Sequence, residues 1–341
     1  MTARSAHNVS VACSLAILLA ACSSSPAPEA TSPAAAPAAL KTGITVAAPI
    51  TDLKVINGDA IGLGLADGQV GVWNGRDASP AVMQKAHSTR VVAIGSSADH
   101  REIWSVATDG TLSRTPLSGG SPVSAGRVDL GQAPTRAAAF SSDGALLITG
   151  DEYGDIRVFD TATAALRHRL RGHRVELQMI AVRPGSSTVA TASAEADLRI
   201  WDAAAGREVK LIESDVSLFT AAFSPVDGTL ASGGVDRRVT LRDPAGFATT
   251  GEFVVAAPRM VNTVAWSPDG RLLAVGDLDD ETLSKGGIQV IDATTRAVVA
   301  TLDTGNQPAT HLAFVDGSLI AAATGPRASA WKTTFATASA K

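Results

Sequence analysis

Few side chains in this 341-residue sequence have types and spacings that suggest chemistry. The thiols are Cys13 and Cys22, and the imidazoles are His7, His87, His100, His168, His173 and His311. Two cysteines are too few for a four-thiolate zinc site. No Cys-x-x-Cys-His run is present to attach haem. His168 and His173 lie five residues apart across a strand end and a turn, which does not place two metal ligands on one element. A Gly-x-Ser-x-Gly elbow, a phosphate-cradling Gly-rich loop ending in Lys-Ser/Thr, and a His-Glu-x-x-His helix are all absent. The acidic run Asp277, Asp279, Asp280 and Glu281 offers oxygens, but without the Gly-punctuated spacing of a calcium loop, and reads as a solvated insertion. Arg167, Arg169, Arg171 and Arg174 read as a charged, self-protecting strand edge. No catalytic residue, metal ligand or cofactor is assigned, and the chain is not expected to be an enzyme.

Net charge sets a second limit. Lys and Arg number 29 against 33 Asp and Glu, so no broad basic field is available to hold nucleic acid.

The N-terminus reads as an address. Residues 11–21, VACSLAILLAA, are apolar but too short to cross about 30 Å of hydrocarbon as a helix. A weakly basic start and a short apolar run are the pattern of a secretory signal. Leu19-Ala20-Ala21-Cys22 resembles the lipobox of bacterial lipoproteins. That resemblance implies a signal peptide over 1–21, lipidation of the Cys22 thiol and cleavage before it. Cys13 would leave with the signal. Residues 22–40 then form the lipidated Cys and a Ser/Pro/Ala-rich disordered tether. The expected location is the cell envelope, lipid-anchored on a periplasmic or extracytoplasmic face.

Beyond residue 40, short β-branched runs alternate with Gly/Asp turns and no long helical period appears. One aromatic-type position recurs at Trp73, Thr115, Phe159, Trp201, Arg242, Ile291 and Trp331. Its intervals are 42, 44, 42, 41, 49 and 40 residues, the long one containing the insertion 277–287. About 40–45 residues is the period of a four-stranded propeller blade. Ser/Pro/Asp/Gly turns at 141–144, 224–228 and 267–270 mark hairpins in step with it.

The unit 188–212 reads strand, turn, strand, Trp201-Asp202, Gly turn, strand, and resembles a WD40 repeat. The resemblance implies an all-β fold: a seven-bladed β-propeller of four-stranded antiparallel blades over 41–336, followed by a disordered tail at 337–341. The last unit lacks a fourth strand and residues 43–48 lack a partner, so an N-terminal strand should complete the last blade. Family blades join His, Ser/Thr, Asp and Trp in one hydrogen-bonded set. Matching positions here are His173, Ser193, Trp201 and Asp202, with Asp67, Asp109 and Asp236 at the turn position of other blades. Glu195 stands where Asp is usual, and no blade shows the whole set. His87 and His173 therefore read as structural.

WD40 domains bind partners around the channel mouth, where each first strand begins. One residue per blade falls there: Thr51, Arg90, Arg136, Gln178, Phe219, Asn262 and Thr310. The reading is a lipid-anchored, non-catalytic protein-binding scaffold, with a protein partner, the membrane through Cys22, and no nucleic acid. The alternative is an envelope propeller enzyme, lactonase-like or quinoprotein-like, whose metal site in the central channel draws ligands from several blades.

Overall fold

The computed structural model describes residues 37–38, 40–58, 60–80, 82–255, 259–305, 307–315 and 319–332. The expectations for residues 1–21, Cys22, most of 22–40 and 337–341 lie outside them. Among the described residues there is no helix. Seven sheets follow one another along the chain. Blade 1 holds Ile50–Asn57, Ala60–Leu65, Gln69–Trp73 and Val82–Lys85. Blade 2 holds Val91–Ser96, Glu102–Ala107, Thr111–Pro116 and Val123–Arg127. Blade 3 holds Thr135–Phe140, Leu146–Asp151, Ile156–Asp160 and Leu166–Leu170. Blade 4 holds Leu177–Val182, Thr188–Ser193, Asp197–Asp202 and Arg207–Glu213. Blade 5 holds Leu218–Phe223, Leu230–Gly234, Arg238–Arg242 and Thr249–Val254. Blade 6 holds Arg259–Trp266, Leu272–Asp279, Ile288–Asp292 and Val298–Leu302.

Blade 7 supplies only three strands of its own, His311–Phe314, Leu319–Thr324 and Arg327–Lys332. Its outer strand is Leu40–Thr45, antiparallel to Arg327–Lys332, with Ile44 opposite Ala328. The first strands touch in order, and that of blade 7 touches that of blade 1, so the ring closes. The chain is therefore a seven-bladed propeller closed by an N-terminal strand. Pairing starts earlier than residue 41. Leu40 faces Trp331, and Pro37–Ala38 runs parallel to the outer strand of blade 6. Composition hides this, because a proline is tolerated on a sheet edge, where no ladder donor is missed.

The tracked position lies near the end of each third strand and is buried in all seven blades, from 0% exposed at Trp73, Thr115 and Phe159 to 8% at Arg242. Each faces an apolar residue of the second strand: Ile61, Ile103, Leu147, Val189, Leu230, Leu273 and Ile320. Burial on both faces by neighbouring blades explains the small residues of the second strands. Ala190, Ala192, Ala231, Ala274 and Ala322 are fully buried. Gly150 shows the limit, since a Cβ there would lie 2.0 Å from Leu177 Cδ2 of the next blade.

The outer strands are bulged. Their pairing with the third strands slips beside the tracked residue in blades 3, 4, 5 and 6. A bulge twists an edge strand away from other chains. One sequence expectation is corrected here. Asp277 is not in a solvated loop: it lies within the second strand of blade 6, is 3% exposed, and accepts from Arg259 at 2.7 Å and from the Gly287 N–H at 2.8 Å. The reversal 280–287 returns far enough to put a backbone donor on that carboxylate, a pairing invisible in a run of acidic letters.

Candidate functional site

In each of blades 1 to 6 the first strand slips by one residue against the second. The skipped residues are Thr51, Val92, Arg136, Gln178, Phe219 and Asn262. In blade 7 the N–H and the hydroxyl of Thr310 both donate to Ala323 O, which lies opposite His311. A bulge re-aims its side chain out of the regular alternation. Five of the seven ring residues read from sequence, Thr51, Arg136, Gln178, Phe219 and Asn262, are thus bulge residues, and Thr310 stands just before its strand. Blade 2 differs: its bulge is Val92, and Arg90 precedes the strand as an exposed residue.

Most ring side chains are already engaged. Thr51 donates to Gly64 O at 3.0 Å, Asn262 to Ala309 O of the next blade at 2.7 Å, and Gln178 to Glu176 at 3.0 Å. The Arg136 guanidinium lies 3.4 Å from Glu152 and 3.6 Å from Glu176 of blade 4. Only Arg90 and Phe219 lack a side-chain hydrogen bond or ion pair among the described residues. Phe219 is half-buried rather than exposed.

One position further in, Asp52 accepts the Ile94 N–H of blade 2 at 2.8 Å, and Thr220 accepts the Val264 N–H of blade 6 at 3.2 Å. His311 stands 3.9 Å from Asp52 at the seam between blades 7 and 1. Burial lowers its ring pKa, Asp52 opposes that shift and Arg90 adds to it. Among the described residues, no three His, Cys, Asp or Glu side chains form a group that could hold a metal ion.

The histidines serve the blades. In blade 4, Trp201 Nε1–H donates to Thr191 Oγ1 at 2.8 Å, and Thr191 Oγ1 lies 2.7 Å from His173 Nε2. His173 Nδ1 lies 2.8 Å from Asp197, which also accepts from Ser193 at 2.6 Å and from Arg199 at 2.8 Å. These partners assign the proton to Nδ1. Burial alone would raise the Asp197 carboxyl, but the hydrogen bonds from His173, Ser193 and Arg199 outweigh it and hold it well below the ordinary range. The whole set denied to every blade by sequence is therefore present. Its acid is Asp197 at the start of the third strand, not position 195, and its hydroxyls include Thr191. Glu195 is exposed, and Asp202 instead caps the next turn, accepting the N–H groups of Ala204 and Ala205.

Blade 2 repeats the arrangement with substitutes. His87 lies 2.7 Å from Ser105 and 2.8 Å from Thr111, whose hydroxyl donates to Asp109 at 2.7 Å. Burial lowers the His87 pKa, partly opposed by Asp109. In blade 5, Arg242 takes the tryptophan's place and donates to Ser232 at 2.6 Å. In blade 3, Phe159 has no donor, and the buried Thr149 hydroxyl is left without a partner. Asp67 and Asp236, in the turns before their third strands, accept the N–H groups of the first strand residues, Gln69 and Arg238. Burial raises the pKa of Asp236.

Two adjoining hollows lie around the loops between blades 2 and 4. A shallow hollow of about 590 Å³ is lined by Arg136, Glu152, Tyr153, Glu176 and Glu195. A second, of about 330 Å³, is lined by Asp129, Asp151, Tyr153, Asp155, Arg157 and Arg169. Of their lining, sequence reasoning had placed only Arg136 at the binding ring, since the other residues converge from loops of neighbouring blades.

Comparison with known proteins agrees with this architecture. The family model for the WD domain, G-beta repeat, matches residues 131–160 and 252–283. The chain is 26% identical over 184 residues to the WD repeat-containing protein VIP3 of Arabidopsis thaliana, covering 50% of this chain and 56% of that protein. It is 25% identical over 242 residues to pre-mRNA-processing factor 19 of Oryza sativa subsp. japonica, covering 67% of this chain and 45% of that protein. The chain spans about half the length of these relatives. The matches support the resemblance to WD40-repeat propellers and, in general terms, a role in protein interaction.

Proposed function

We propose that this chain is an exported propeller, lipid-anchored through Cys22 at a bacterial cell envelope, that binds protein partners without catalysing a reaction. The binding half is carried by one observation: every blade from 1 to 6 turns a bulged residue of its first strand out of the sheet, and blade 7 places Thr310 equivalently. The device repeats while the residue type varies, as a presenting surface requires. Rigid strands beneath it lower the ordering cost of association. The anchoring half is supported by Leu19-Ala20-Ala21-Cys22 and the Ser/Pro/Ala-rich segment after it.

The anchor is tested with Cys22→Ser. Wild type is expected in the detergent phase with the added mass of acyl chains, and the variant in the aqueous phase or uncleaved. Equal partitioning, with no acyl mass on wild type, refutes the anchor.

The binding face is tested by crosslinking in cells with the pair Arg90→Ala and Phe219→Ala, the two ring side chains with no bond to lose. Recovery of a partner is expected to fall at least tenfold, since Arg and aromatic anchors are often worth about 2 kcal/mol or more each. Stability should move by about 1 kcal/mol or less. The outer-strand pair Arg207→Ala and Val209→Ala should leave recovery intact. The reverse pattern would place the partner on the blade edges.

A further inference from the structure

His311 is the single titratable side chain of blade 7's first strand, and its hydrogen bonds fix its tautomer. The Thr310 hydroxyl donates its one hydrogen to Ala323 O at 3.1 Å, so its oxygen accepts from His311 Nδ1–H, also at 3.1 Å. The neutral ring therefore leaves Nε2 bare. Nε2 lies 3.9 Å from Asp52 Oδ1, too far for a hydrogen bond. The side chain is 30% exposed, so a ligand can reach it.

Arg90 acts on the same ring from the start of blade 2, and its guanidinium pairs with no carboxylate among the described residues. The acid beside them is already engaged, because Asp52 accepts the Leu53 and Ile94 N–H groups, each at 2.8 Å. The other elements packed against His311 supply no free anion. Leu319–Thr324 holds no titratable residue, and Ile50–Asn57 adds only Lys54 to Asp52. In blade 6, Arg259 and Asp277 pair at 2.7 Å, Asp279 ends the second strand, and Asn262 is committed to Ala309 O. The ring mouth between blades 7, 1 and 2 thus holds a cation without an anion. Independently of it, an accessible imidazole nitrogen there has no hydrogen-bond partner.

We propose that this mouth binds an Asp or Glu side chain of an acidic partner segment, with Arg90 as its fixed donor and His311 as a second donor gained in acid. The carboxylate accepts from the guanidinium at any pH, as a charge-assisted bond. When Nε2 takes a proton it adds an N–H and a positive charge on the same side. Burial and Arg90 keep the free ring neutral at neutral pH against the pull of Asp52. A bound carboxylate favours the imidazolium, so by linkage the proton favours the carboxylate, and binding tightens as pH falls. Same-sign charge turns basic segments away. The proposal rests on the protein-binding reading above and names the partner's chemistry and its regulation.

The test uses the full chain in detergent and two rhodamine-labelled hexapeptides, one alternating Gly with Glu and one Gly with Arg, read by fluorescence anisotropy. The Glu peptide is expected to bind about fivefold or more tightly at pH 5.5 than at pH 7.5, across the range where an imidazole titrates. The Arg peptide is not expected to bind. Arg90→Ala should weaken the Glu peptide about tenfold at both pH values, and Arg90→Lys should restore part of it. His311→Gln, which keeps a donor for Thr310, should match wild type at pH 7.5 and lose the gain in acid. Added salt should weaken binding in every case. The melting temperature of each variant checks that the blades remain folded. No binding of the Glu peptide at either pH, or an unchanged acid gain in His311→Gln, overturns the site. If crosslinked recovery still depended on Arg90 and Phe219, the scaffold would stand without this ligand; if that dependence were lost too, the scaffold reading would fall with it.

Discussion

Deleting residues 40–48 is expected to cost about 5 kcal/mol or more of unfolding free energy, whereas deleting 23–36 should change it by about 0.5 kcal/mol or less. The first deletion removes the outer strand of blade 7. Ile44 and Val46 are 4% and 9% exposed, and burying such side chains contributes about 2 kcal/mol each. The strand also carries a ladder from Leu40 opposite Trp331 to Thr45 opposite Arg327, at about 1 kcal/mol net per bond. Beyond it, the Val46 N–H donates to Pro326 O and the Ile50 N–H to Gly325 O, tying blade 7 to the start of blade 1. Losing the strand leaves Arg327–Lys332 as a bare edge, so the deleted protein should also associate on standing. Urea unfolding followed by circular dichroism measures the first effect, and light scattering the second. Equal midpoints for the two deletions would mean that the ring closes without this strand.

Trp201→Ala is expected to destabilise by about 3–5 kcal/mol, the range for truncating a large buried aromatic. The ring is 2% exposed and packs in the core with Leu146, Ile148 and Leu177. Trp201→Phe separates packing from hydrogen bonding. It keeps most of the ring and removes the N–H that donates to Thr191, so the expected loss is about 1–2 kcal/mol. Blade 3 is the natural counterpart, with Phe159 beside the unpartnered Thr149 hydroxyl. Asp197→Asn reports on the same network through pH. The Asp197 carboxyl is held below its unfolded value, so its stabilisation is present above about pH 4 and is lost as pH falls toward the folded pKa. The Asn variant should therefore be less stable at neutral pH and lose less on acidification. Urea midpoints at pH 7 and pH 3 give both quantities. An Asn variant as stable as wild type at pH 7 would remove Asp197 from the network's energetics.

The blade count was legible in the sequence because it is periodic and local. Hairpin turns at Ser141–Gly144 and Ser267–Gly270 are set by neighbouring residues: each serine hydroxyl bonds the aspartate two residues on. The tracked position survives replacement of tryptophan by Thr115, Phe159, Arg242 or Ile291, because its burial follows from strand phase. The closing strand was legible as well, as one strand too many at the start and one too few at the end.

What converges was decided only by the tertiary structure. Whether position 195 or 197 supplies the acid of blade 4 depends on which residue faces His173 across a turn: Glu195 lies in the turn and Asp197 opens the third strand. In blade 2 the strand begins at Val91, so its bulge falls at Val92 and Arg90 lies just before it. Arg136 meets Glu152 and Glu176, 16 and 40 residues on in sequence, and Tyr153 lines hollows built from loops of neighbouring blades. No local pattern encodes such meetings. They arise because packing seven twisted sheets around one axis brings the loop between the second and third strands of one blade beside the loop that opens the next.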